Sequence, residues 1–96
     1  MTDEQKAKCH EIADYYGSGH QALKAIEEMS ELQKELCKFV SCDDGDINRI
    51  IEELADVTIM IEQMLYYFDT HSIDVPKIID TKLDRQLKRM EVESNG

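Results

Sequence analysis

Ile26-Glu27-Glu28-Met29-Ser30-Glu31-Leu32 and Ile51-Glu52-Glu53-Leu54-Ala55-Asp56-Val57 align position for position, 25 residues apart, and each lies within a longer run of helical period. In the first run Ala22, Ala25, Ile26, Met29, Leu32, Leu36 and Val40 form an apolar stripe; in the second, Ile47, Ile50, Ile51, Leu54, Val57, Ile61, Leu65 and Phe68 form another. Two amphipathic helices with a short polar connection between them predict an antiparallel hairpin. The repeat is too short for a solenoid and occurs only twice. In a hairpin, an approximate twofold axis brings its two copies side by side.

Outward from this pair, the punctuation predicts four helices and no strand. Thr2 with Gln5 offers a capping box for a first helix to Tyr16, stopped by Gly17-Ser18-Gly19. The second runs from about His20 to Val40. After the connection Ser41-Cys42-Asp43-Asp44-Gly45, Asp46 is the N-cap of a third helix reaching about Asp69. Thr70-His71-Ser72 breaks it, and Pro76 suits the first turn of a fourth helix to about Val92. The expectation is one all-α domain over residues 1–92, an antiparallel bundle of about four helices completed by homo-oligomerisation, with 93–96 as a polar tail.

The size supports that expectation. A chain of 96 residues has one modest core, and domains this short often gain stability by self-association. With 21 acids against 11 bases the formal charge is −10, which argues against direct binding to nucleic acid, because that grip rests on cations neutralising phosphates. No apolar run approaches the roughly 20 residues that span a bilayer, and Met1-Thr2-Asp3-Glu4 lacks the basic start of a signal peptide. The reading is a soluble, cytoplasmic protein without a membrane partner. Cys9, Cys37 and Cys42 form no CxxC pair and read as reduced thiols.

The repeat also duplicates a set of carboxylates. Glu28 and Glu31 are three apart on one helix, Glu53 and Asp56 three apart on the other, and such neighbours have Cβ atoms about 5–6 Å apart. Acidic strings are common on solvated helix faces. Here, however, the motif occurs on both helices of the hairpin, and the third helix continues past Asp56 as Met60, Met64 and Tyr67, a face that should line a pocket or a subunit interface. Unneutralised, four facing carboxylates would raise one another's pKa and oppose folding. A hard divalent cation relieves this, and oxygen-only ligation suits Mg²⁺ or Mn²⁺. A di-iron bundle would need Glu-x-x-His, but Ala7, Gly17 and Phe68 stand three before His10, His20 and His71. An EF-hand reading of Asp43-Asp44-Gly45-Asp46 fails because its first and last ligand positions are Val40 and Ile51. The fourth helix carries a basic face, Lys82, Arg85 and Arg89, able to meet a phosphate tail or to pair with an acidic surface.

Glu27-Glu28-Met29-Ser30-Glu31 followed by Glu53-Leu54-Ala55-Asp56 resembles the EExxE…ExxD signature of the MazG-like branch of all-α nucleoside triphosphate pyrophosphohydrolases. The resemblance covers roughly His20 to Phe68, with Lys82 to Met90 similar to the basic closing helix of small members. It implies Mg²⁺- or Mn²⁺-dependent hydrolysis of a nucleoside triphosphate, ribo or deoxy, to the monophosphate and pyrophosphate. Glu28, Glu31, Glu53 and Asp56 would be the metal ligands, and Glu27 a neighbour that orients or activates water. Such members are dimers or higher homo-oligomers, so a homodimer or homotetramer is implied. The chain departs from some relatives in lacking tryptophan and an aromatic cluster ahead of the first motif. Gln21, on the side of its helix that bears Glu28, is a candidate nucleotide contact, as are Lys82 and Arg85. The competing reading is a non-catalytic helical interaction module or a nucleotide-binding relative without turnover.

Overall fold

A computed structural model describes residues 1–41, 45–69 and 72–96. It contains four α-helices, α1 (Asp3–Tyr16), α2 (Ser18–Ser41), α3 (Ile47–Phe68) and α4 (Val75–Asn95), and no strand among the described residues. Cys42, Asp43 and Asp44 of the expected polar connection, and Thr70 and His71 of the expected break, lie outside them.

Local chemistry accounts for the ends. Thr2 and Gln5 form the reciprocal capping box, Thr2 N donating to Gln5 Oε1 at 2.8 Å and Gln5 N to Thr2 Oγ1 at 3.1 Å. Gly17 ends α1 with φ +86° and ψ 161°, a region that only glycine enters without strain, and its N–H still donates to Ala13 O. That single residue is a sufficient break. Ser18 and Gly19, expected to extend the stop, are already the first turn of α2. Asp46 caps α3 by accepting from Asn48 N, and Asp74 caps α4 by accepting from Lys77 N. α4 runs on to Asn95, past its expected end at about Val92 and into the polar tail, since nothing after Val92 breaks the pattern before Gly96.

α2 and α3 are antiparallel partners whose register is constant: Gln21 meets Gln63, Glu28 meets Asp56, and Glu35 meets Arg49. The seam between them is an unusual mixture. Ala25, Val57 and Met60 are buried there beside Gln21, Glu35 and Gln63. Met64 and Tyr67 are half-buried, so the continuation of the acidic face is packed within the chain rather than turned outward. α1 lies against α3, with Cys9 and Ala13 buried, and is pinned by polar contacts. His10 Nε2 lies 2.7 Å from Glu62 Oε2, Tyr66 Oη donates to Asp14 at 2.8 Å, and Tyr67 Oη donates to the carbonyl of Ala13.

The bundle expectation needs one correction. α1, α2 and α3 pack together, but α4 packs against none of them and buries no residue. Of the aliphatic stripes, Ala25 and Val57 are buried in the hairpin seam, while Ile26, Met29, Val40, Ile51, Leu54 and Ile61 are exposed. Cys9 and Cys37 are free thiols, the first buried and the second exposed. No helix among the described residues is long and apolar enough to cross a membrane.

Candidate functional site

The duplicated motif places its acids by helix geometry alone. Residues three apart project to neighbouring positions, and the antiparallel register then sets Glu28 opposite Asp56 and Glu31 opposite Glu53. Glu28, Glu53 and Asp56 each offer a carboxylate oxygen within 4.8 Å of the others. Glu31 is exposed and stands outside this triad, although its charge still acts on Glu53. Glu27 is exposed on the rim.

The triad bears the electrostatic signature of crowded acids. Burial, then the charges of Asp56, Glu28, Glu31 and Glu35, raises the pKa of Glu53 above the ordinary carboxylate value. Burial likewise raises Asp56, followed by the charge of Glu28 and a hydrogen bond shared with it. One oxygen of Glu53, Oε2, is buried and has no hydrogen-bond partner. Such an atom forfeits its hydration without compensation. Lys24 partly offsets the charge: its Nζ is 3.2 Å from Glu28 and 3.9 Å from Glu27, and its pKa is raised chiefly by the hydrogen bond to Glu28.

Glu28 and Asp56 of the triad border a cleft of about 660 Å³. Its apolar walls include Ile12, Ile59 and Met60, its floor holds Gln21 and Gln63, and its rim holds Lys24 and Glu27. Tyr16 and His20 stack at its mouth with centroids 4.7 Å apart and planes within 13°. Gln21 is no free surface amide. Its Nε2 donates to Gln63 Oε1 at 2.7 Å, and its Oε1 accepts from His20 Nδ1 at 2.7 Å, so three polar side chains are locked in series.

Of the residues singled out in the sequence, Glu27, Glu28, Asp56 and Gln21 border one cleft, and Glu53 completes the carboxylate triad. Lys82 and Arg85 do not join them, because α4 stands apart. Sequence reading missed Lys24, Gln63, Tyr16 and His20. Lys24 was visible as the residue four before Glu28, and Gln63 as the residue seven after Asp56. Tyr15, Tyr16 and His20 form an aromatic group just ahead of the first motif, correcting the expectation that this region lacks one. The gap at Gly17 hid it, since the rings belong to two helices.

A cleft with apolar walls, stacked rings and oriented amides can hold a planar polar ring, and a carboxylate triad at its edge can hold a divalent cation. Comparison of the chain with protein-family models, curated proteins and solved structures finds no match.

Proposed function

We propose that this chain is a Mg²⁺-dependent nucleoside triphosphate pyrophosphohydrolase, acting as a homo-oligomer, as its resemblance to the MazG-like family implies. The observation that carries the reading is Glu53: a carboxylate with one buried, unpartnered oxygen, inside a triad drawn from both copies of the repeat. A hard cation supplies what that oxygen lacks and removes the mutual repulsion of Glu53, Asp56 and Glu28.

The donor set fits Mg²⁺ or Mn²⁺, with Glu28, Glu53 and Asp56 as the ligands and Glu31 within reach of their field. When bound, the ion would neutralise the triphosphate and lower the pKa of a coordinated water. The chain's own groups do the rest. The cleft seats the base between Tyr16, His20 and the Gln21–Gln63 amides, which leaves the phosphates at the carboxylate end. Water attack breaks the bridge between the α- and β-phosphates, and a carboxylate not engaged with metal, Glu27 or Glu31, accepts the proton. Lys24 is positioned to balance charge on the departing pyrophosphate. For Lys82 and Arg85, a role at the triphosphate rests on the resemblance alone.

The test is pyrophosphate release from a panel of NTPs and dNTPs with Mg²⁺, alongside Glu53→Gln and Asp56→Asn. Loss of about 100-fold or more in turnover with the fold retained is expected, given what removal of metal-site groups costs. Full activity in either variant sinks the assignment. A non-catalytic interaction module remains the second reading, favoured by the exposed aliphatic stripes of α2 and α3. An inert chain whose Tm ignores millimolar Mg²⁺ would favour it.

A further inference from the structure

A buried carboxamide has a direction, because one end accepts a hydrogen bond and the other donates, and that direction decides what a ligand beside it can be. Three side chains of the cleft are joined end to end. His20 Nδ1 donates to Gln21 Oε1 at 2.7 Å, and Gln21 Nε2 donates to Gln63 Oε1 at 2.7 Å. The series runs one way and engages the oxygen of Gln63. What remains of that amide is its Nε2 donor, for which no acceptor is found among the described residues. Gln63 is 1% exposed and borders the cleft, so this donor serves an occupant of the cleft rather than bulk water.

The imidazole sets the polarity. Gln21 can turn over only if His20 Nδ1 is an acceptor, whereupon Gln63 turns too and presents its oxygen to the cleft. A proton on Nδ1 prevents both reversals. His20 is exposed, and its ring is held by the stack on Tyr16 as well as by the bond to Gln21. Orientation therefore passes from a ring at the mouth of the cleft to an amide at its floor.

Distance selects the kind of occupant. Gln21 lies seven residues before Glu28, and Gln63 seven after Asp56, which is about 10 Å along the helices at roughly 1.5 Å per residue. Ile59 and Met60 wall the interval. A nucleotide covers that reach, with an apolar-faced ring at one end, a sugar between, and phosphates at the other. Its ring edge then meets Gln63. An N–H donor pairs with a ring carbonyl there, whereas an exocyclic amino group opposes one donor with another and forms no bond.

We propose that Gln63, oriented through Gln21 by His20, reads the base of the nucleotide and selects 4-oxo pyrimidines and 6-oxo purines over their amino counterparts. This rests on the cleft being the nucleotide site of the proposed pyrophosphohydrolase, and it names the class of substrate that the site takes. Gln63 touches the base. His20 and Gln21 are positioning residues, which act on selectivity through it.

The probes are UMP against CMP and GMP against AMP, titrated with Mg²⁺ into the isotope-labelled chain, with the matching triphosphates in the pyrophosphate assay. The oxo member of each pair should bind about 10-fold or more tightly, because the amino member leaves a buried donor unpaired. The side-chain NH₂ signals of Gln63 should move with UMP and stay in place with CMP, and nitrogen shifts should put the His20 proton on Nδ1. His20→Phe keeps the stack but removes the donor, so with the fold retained each preference should fall to about twofold or less. Gln63→Leu, assayed below its own Tm, should do the same. Equal affinities within the pairs, a preference for the amino members, a preference that survives His20→Phe, or failure to bind any of the four overturns the proposal. Pyrophosphate release without discrimination between bases sinks this inference and leaves the hydrolase reading standing. Discrimination in binding without pyrophosphate release does the reverse.

Discussion

Gln21 and Gln63, 42 residues apart, share a 2.7 Å hydrogen bond in which both side chains are almost wholly removed from solvent. Each amide is costly to bury alone, so together they hold α2 and α3 to one register: a one-residue slip would leave both unpaired. Gln63→Leu should therefore destabilise the chain by about 1–3 kcal/mol, the cost of stranding Gln21 Nε2. At about 4–8 °C per kcal/mol for a domain of this size, the fall in Tm is readily measured at fixed protein concentration. Gln21→Leu with Gln63→Leu should recover part of the loss. A double variant as damaged as the sum of the singles would show that the pair does not act as a unit.

The raised pKa values of Glu53 and Asp56 fix the sign of a pH effect. In the fold these groups keep their protons to higher pH than in the unfolded chain, so the native state binds more protons in that window and stability falls as pH rises through it. Without divalent cation, the wild type should lose stability relative to Glu53→Gln from the ordinary carboxylate range upward. The two should converge under acid, where the carboxyl is protonated in both states. Millimolar Mg²⁺ should abolish the difference at neutral pH. Parallel wild-type and variant profiles, measured by thermal unfolding with chelator present, would contradict the burial and crowding of the triad.

Lys24 competes with any cation for Glu28, because its ammonium lies 3.2 Å from that carboxylate. Its side chain is 45% exposed, so solvent screens the pair and it contributes little to stability. Lys24→Met should slightly lower the metal-free Tm and enlarge the Mg²⁺-induced rise. If Lys24 instead balances charge on pyrophosphate, the same variant should lower kcat more than it raises KM. A smaller Mg²⁺ shift with unchanged kcat would remove Lys24 from the site.

Gly17 is a backbone requirement rather than a packing one. A Cβ there meets nothing within 4 Å, yet the φ of +86° excludes ordinary side chains. Gly17→Ala should cost about 1–3 kcal/mol through strain alone. The damage should concentrate where α1 meets α3, seen as faster amide exchange in α1 with protection in the α2–α3 seam retained. Uniform loss of protection would mean that α1 is integral to the hairpin's stability.

The helices were legible in the sequence because their signals are local. The Thr2–Gln5 capping box, the Asp46 cap and Pro76 in the first turn of α4 each act within a few residues and survive any tertiary context. The carboxylate triad was legible for the same reason, with one exception. Spacing places Glu31 beside Glu28, but the packing decides which of the two turns inward, and Glu31 is exposed. What the pattern did not disclose is which surfaces meet. The hairpin interior is held by Gln21, Ala25, Glu28 and Glu35 against Glu53, Val57, Met60 and Gln63, so Ala25 and Val57 of the stripes lie within it while Ile26, Leu54 and Ile61 stay exposed. Hydrophobic period reports that a face is apolar and carries no address for its partner.

The register that sets Glu28 on Asp56 and Glu31 on Glu53 makes the hairpin nearly interchangeable with itself under a half-turn. The positions of the acids are therefore specified by one seven-residue phrase used twice in opposite directions. Two copies of a single α2-like peptide, paired antiparallel, would carry the same arrangement. In such a scaffold a change at one position of the phrase can be written at its twin, so the acidic site can be remodelled in symmetric pairs or split into asymmetric halves by editing a single helix.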